Sequence, residues 1–183
     1  MVNPLIPGLC KKHFATFYIA LFLHFKLEKF LTDRNAEHLH DLDACLEKDM
    51  ETDRNETYHY YVVKYFLACS KFYSHDHNSA AKILNDLRNG MSFRSYIHAE
   101  INSKLFHALQ YCILGEEDLF MQLLQSVKRQ ADEKEYPQAM LFVKLLKFSL
   151  KVTEYRRKLQ NLHKTWDAFL SLNRGEKRIL CYL

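Results

Sequence analysis

The chain has 183 residues, 48% of them apolar and 26% charged, with a formal net charge of +4. That length suits one domain that buries roughly 70% of its unfolded surface, so folding requires neither metal nor disulfide staples. Only seven residues are Gly or Pro, and between Gly8 and Gly175 only Gly90, Gly115 and Pro137 interrupt the chain. Helix interiors reject Pro by about 3 kcal/mol and Gly by about 1 kcal/mol, so these long uninterrupted stretches predict helix almost throughout. Apolar residues recur at intervals of three and four, and no stretch alternates with period two long enough to compete as a strand.

The first expected helix runs from Lys11 to Phe30 and is apolar nearly all round (Phe14, Phe17, Tyr18, Leu21, Phe22, Phe25), the pattern of a sandwiched helix or one awaiting a partner. Its apolar run, Phe14 to Phe25, is too short to span a bilayer, and no small-residue cleavage site follows it. No membrane attachment is expected. Thr32-Asp33 ends this helix and opens a second, striped by Ala36, Leu39, Leu42, Leu46 and Met50. Asp53 and Glu56 have capping-box spacing and open a third, aromatic helix through Tyr58, Tyr61, Tyr65, Phe66 and Tyr73. After a turn at Ser74–Asn78, a short helix with Ala80, Ala81, Leu84 and Leu87 inward ends at the stop signal Asn89-Gly90.

A fifth helix is expected from Ser92 or Ser95 to about Leu114, broken by Gly115. The acids Glu116, Glu117 and Asp118 suit the positive N-terminus of the next helix, which carries Leu119, Leu123, Leu124 and Val127. Pro137 sits where a first-turn proline is tolerated. Beyond it, Leu145, Phe148, Val152, Tyr155, Leu159, Leu162, Trp166 and Phe169 keep an unbroken spacing, which permits one helix of about 35 residues, roughly 52 Å long. The alternative, two helices with a turn near Thr153, is favoured because the chain repeats. The opening helices begin near Phe14, Glu56, Tyr96 and Gln138, steps of 42, 40 and 42 residues, and in such arrays each helix needs a partner.

The expected architecture is therefore all-α, with seven or eight helices forming antiparallel pairs over approximately 11–50, 54–90, 94–134 and 137–173 of a single domain. Residues 174–183, apolar at their end, are expected to dock as a cap or to meet another chain. In Lys104-Leu-Phe-His-Ala108-Leu-Gln-Tyr111-Cys-Ile-Leu-Gly115, the small, aromatic and turn residues resemble a tetratricopeptide-type repeat, with Leu124 and Val127 at its second-helix apolar positions. Phe120 stands where that pattern has a small residue. Leu67, Ala68, Ala80, Leu84 and Leu87 match it in the preceding pair, with Lys71 in place of the aromatic. The resemblance, to the degenerate class with a longer period, implies a short right-handed α-solenoid. It also implies that the first helix of each pair lines a concave surface, exposing Asn102, Leu105, Leu109 and Cys112; ordinary core is the alternative for Leu105 and Leu109. Asn173-Arg-Gly-Glu176-Lys-Arg178-Ile-Leu-Cys-Tyr182-Leu183 is similar to the closing segment of large uncharacterised helical proteins of the Bacteroidota, which would make this chain the C-terminal part of such a protein.

Chemistry is sparse. His75-Asp76-His77 could offer metal ligands, but the plainer reading is a polar turn with Asp76 or Asn78 capping the next helix. His38 and His40 point to different helix faces, and the Glu56/His59 spacing of a di-iron bundle lacks its second copy. No Gly-rich phosphate loop, nucleophile elbow or zinc-protease motif occurs. Neither metal nor cofactor is expected, and the chain reads as non-catalytic. Cys10, Cys45, Cys69, Cys112 and Cys181 are odd in number and widely spaced, which suits a reduced, cytoplasmic protein.

Charge is polarised. Between Asp33 and Glu56, nine acids face three bases, a net of −6, whereas between Lys144 and Arg178 ten bases face three acids, a net of +7. Lys144, Lys147 and Lys151 share one helix face, with Arg157 close behind. The expected function is a scaffold that binds a protein or peptide, or self-associates acid end to basic end, through Asn102, Leu105, Leu109, Cys112, Lys144, Lys147, Lys151 and Arg157. The alternatives are nucleic-acid binding through the basic C-terminal helix and a small enzyme with a dispersed site.

Overall fold

Helix is the only regular structure among the described residues of the computed structural model, which are 15–33, 35, 57–150, 155–174 and 179–180. Seven helices are described: α1 (Ala15–Asp33), α2 (Thr57–Tyr73), α3 (His77–Gly90), α4 (Ile97–Leu114), α5 (Glu117–Glu133), α6 (Pro137–Leu150) and α7 (Tyr155–Leu172). The expected helix at Ala36–Met50, the capping box at Asp53 and Glu56, His38, His40, the turn near Thr153, Cys10, Cys45 and Cys181 lie outside the described residues. The helices fall into two compact units, α1–α3 up to Ser92 and α4–α7 with Ile179–Leu180 from Phe93 onward.

The recurrence is more regular than the sequence suggests. First helices begin at Thr57, Ile97 and Pro137, two steps of 40 residues, and second helices at His77 and Glu117, again 40 apart. The turns follow the same interval. His75 and Gly115 both take left-handed φ angles, 61° and 76°. Behind each, the next amide bonds back to a carbonyl five residues earlier, Asp76 N to Lys71 O at 2.9 Å and Glu116 N to Tyr111 O at 3.0 Å. Glu135, with φ 57°, closes α5 in the same way through Tyr136 N to Ala131 O, 2.9 Å. These are Schellman closures, which satisfy the last helical carbonyls and reverse the chain within two residues.

In the first unit, α2 lies against both α1 and α3. Its residues Tyr65 to Ser70 are all buried, as an all-round apolar helix requires. α1 contributes one stripe, Leu23, Leu27 and Phe30, and the Phe30 ring lies 4.3 Å from that of Tyr73. Leu21, Phe22 and Phe25 of the same helix are exposed. α3 buries Ala80, Ala81, Leu84 and Leu87, the expected stripe. Gly90 does not stop α3 by turning left-handed. It is the last helical residue, followed by extended Met91, and a Cβ there would stand 2.7 Å from Tyr60 Oη. The glycine leaves room for the Tyr60 hydroxyl from α2.

In the second unit, α4 packs on α5, α5 on α6 and α6 on α7, and α4 also meets α6. α4 begins at Ile97 after Tyr96, without a side-chain cap from Ser92 or Ser95. Ile101 to Ala108 are all buried, polar residues included. Lys104 Nζ lies 2.6 Å from Glu100 Oε1 and 3.1 Å from Gln130 Oε1, and Gln130 Nε2 donates to Glu100 Oε2. This network joins α4 to α5 and supplies the partners a buried charge needs. α5 presents Phe120, Leu123, Leu124, Val127 and Ala131.

The region after Pro137 is two helices. The Phe142 and Phe169 rings lie 5.5 Å apart, whereas a continuous helix would separate those residues by about 40 Å. The single apolar stripe read from the sequence dissolves accordingly: Leu145 and Phe169 are buried, while Leu159 and Trp166 are exposed.

Candidate functional site

α6 carries apolar residues on two faces. Ala139, Val143 and Leu146 enter the core of the second unit. Met140, Leu141 and Phe148, offset by one or two positions and half-buried, line an open groove of about 840 Å³. The left-handed Glu135 and first-turn Pro137 set the turn between α5 and α6, and Ala131 and Tyr136 on either side of it also line the groove. Leu172, at the end of α7, is 51% exposed and supplies a further apolar contact.

The groove walls are charged. Lys144 and Lys147 rise from α6 and Lys128 from α5, beside Asp132 and Glu135. Lys144 Nζ sits 5.7 Å from the centre of the Phe148 ring, so its ammonium covers an apolar surface without leaving water. The geometry offers an apolar floor under a lysine-rich α6 wall. It suits a side-chain stripe flanked by acids.

The residues expected at a binding surface are dispersed. Lys144 and Lys147 both line the groove. Lys151 lies outside the described residues, and Arg157 stands in the first turn of α7. Leu105 is fully buried and offers nothing to a partner, the ordinary core alternative for that position. Asn102 is 7% exposed, and its Oδ1 accepts a hydrogen bond from Leu180 N at 2.7 Å. Leu109 and Cys112 are half-buried on α4. Lys128, Met140, Leu141 and Leu172 do not stand out in the sequence, and Phe148 reads there only as part of an apolar stripe. The signal for Met140, Leu141 and Phe148 is the surplus of apolar residues in 137–148 over what one stripe can use.

The other candidate chemistry resolves locally. In His75-Asp76-His77, Asp76 caps α3, its Oδ1 accepting from Ser79 N at 3.1 Å, and His75 supplies the left-handed turn residue. The Ser79 hydroxyl and amide hold the Asp76 carboxyl below its ordinary pKa. Cys69 is fully buried and its thiol is pushed well above the usual range by desolvation, so it is a core side chain and not a nucleophile. Among the described residues no cluster of three metal-ligating side chains forms, and no helix is long and apolar enough to cross a membrane. No protein-family model, curated protein or solved structure matches the chain.

Proposed function

We propose that this chain is a non-catalytic helical-repeat scaffold of the tetratricopeptide-like kind, a short right-handed α-solenoid whose groove on α6 holds an acidic, apolar-striped segment of a protein partner. The observation that carries the reading is the juxtaposition of Met140, Leu141 and Phe148 with Lys144 and Lys147 in one groove. Helix starts recurring every 40 residues and the packing of α4 on α6 support stacked pairs, because first helices of successive units meet in such arrays. The odd number and wide spacing of the five cysteines support a reducing, cytoplasmic setting.

The apolar floor supplies affinity and the lysines supply selection. Exposed ion pairs contribute about 0.2–1 kcal/mol each, whereas a buried Leu or Met side chain contributes about 1.5–3 kcal/mol. Met140 adapts its shape to different apolar side chains.

The test is selection of peptides of about 15 residues from a randomised display library on the full chain, followed by titration against Lys144→Glu/Lys147→Glu. Enriched peptides should carry apolar residues at i, i+3 or i+4 and i+7 with flanking acids, bind more weakly as salt rises, and lose about tenfold or more in affinity to the double variant. Enriched peptides that bind the double variant equally well, or a selection with no enrichment, would refute the groove as the site. Preferential binding of duplex DNA or single-stranded RNA to the unmodified chain, lost on the same reversal, would move the function to nucleic acid.

A further inference from the structure

A second site lies on the same unit, and it already holds a segment. Asn173 pairs with both main-chain groups of Ile179: its Oδ1 accepts from Ile179 N at 2.8 Å, and its Nδ2 donates to Ile179 O at 2.9 Å. One residue of a neighbouring β-strand makes the same double contact. Asn102, on α4, accepts from the next amide, Leu180 N, at 2.7 Å. Ile179 is fully buried and Leu180 is 7% exposed.

Recognition here is of a particular kind. Two side-chain amides read three consecutive main-chain groups, and two apolar side chains are enclosed. No described charge takes part in these bonds. Such a slot discriminates for an aliphatic pair in an open backbone conformation and is tolerant of what flanks it, as in strand-addition modes of peptide binding. The resident segment is not ideal for it. Leu180 is held at φ 52°, a left-handed conformation that leucine seldom adopts. Asn102 presents a buried acceptor that requires a donor whichever segment supplies it.

We propose that this asparagine-lined slot is a binding site for an extended aliphatic segment of a partner protein, and that Ile179–Leu180 is a resident self-ligand which that segment displaces. The resident holds the slot through its high local concentration, since only residues 175–178 separate it from Arg174. The strained Leu180 weakens that hold. The proposal is independent of the groove on α6, which neither asparagine lines.

The probe is a fluorescein-labelled peptide of residues 176–183 with Cys181→Ser, titrated by anisotropy against the full chain. It should bind Ile179→Ser/Leu180→Ser, in which the slot is vacated, at least tenfold more tightly than the unmodified chain. Adding Asn102→Ala or Asn173→Ala to the vacated variant should then weaken binding at least tenfold. Equal binding to the vacated and unmodified chains, or indifference to the asparagines, overturns the proposal. So does loss of helical circular dichroism in the vacated variant, because the segment is then core and not a ligand. Hydrogen exchange on the unmodified chain gives an independent reading: the Ile179 and Leu180 amides should exchange at least tenfold faster than those of Leu105 and Phe106. Exchange of all four only on global unfolding would likewise exclude displacement.

Discussion

Phe120 offers the sharpest test of how α4 and α5 meet. The resemblance to tetratricopeptide repeats puts a small residue at this position, which would let the helices approach closely. Here the phenyl ring is fully buried on the inward stripe of α5, beside Leu123, Leu124 and Val127. If the ring fills the space between helices, Phe120→Ala leaves a cavity that the neighbours only partly collapse into, at a cost of about 3–5 kcal/mol. At roughly 2–4 °C per kcal/mol for a chain of this size, the melting temperature should fall by about 10 °C. The assay is urea and thermal unfolding followed by circular dichroism at 222 nm, with the denaturant slope compared to show that the unfolded state is unchanged. Leu119→Ala is the control, because Leu119 is the neighbouring residue and 41% exposed; its effect should stay within about 0.5 kcal/mol. A loss at Phe120 of less than about 1 kcal/mol, or one equal to the control, would mean that the interhelix space closes without the ring and that the packing reasoning is wrong.

Three further outcomes are expected. Gly90→Ala should gain about 1 kcal/mol of helix propensity but lose more to the contact with Tyr60 Oη, 2.7 Å from the added Cβ; in a Tyr60→Phe background the same change should become stabilising, and a substitution effect of the same sign and size in both backgrounds would exclude the contact. Asp76→Ala should destabilise the chain by about 1 kcal/mol at neutral pH through loss of the α3 cap. Because the Ser79 bonds lower the Asp76 pKa in the folded state, the stabilisation is present above the ordinary carboxyl pKa and is lost as pH falls through the folded value. The gap between parent and variant should close in acid, and a gap constant down to acid pH contradicts the cap. Native thiol labelling, mapped by mass spectrometry, should modify half-buried Cys112 well before Cys69, whose burial raises the thiol pKa; equal rates would show that α2 opens readily.

Much of the secondary structure was legible because its causes are local. Gly115 adopts the left-handed conformation its type permits, Pro137 opens a helix whose first amide needs no partner, and Asp76 caps α3 from one residue before it. The period of 40 was visible in blurred form, because aromatic and apolar composition marks a helix without marking its first residue. His75 and Glu135 were not recognisable as left-handed turn residues, since neither type demands that conformation. The candidate site was half legible. Lys144 and Lys147 stood out by charge, but the floor beneath them is made of residues that look like ordinary core.

The sequence by itself determined that this is a helical chain broken at Asp76, Gly115 and Pro137, with a basic stretch beyond Lys144, because backbone conformation and charge are properties of single residues and near neighbours. Only the tertiary structure decided what each face meets. It set Leu105 and Asn102 inside, Phe148 under Lys144, Tyr60 against Gly90 and Leu180 on Asn102. A helical period specifies that a stripe must be covered, whereas the identity of its cover depends on residues up to 78 positions away, as for Asn102 and Leu180.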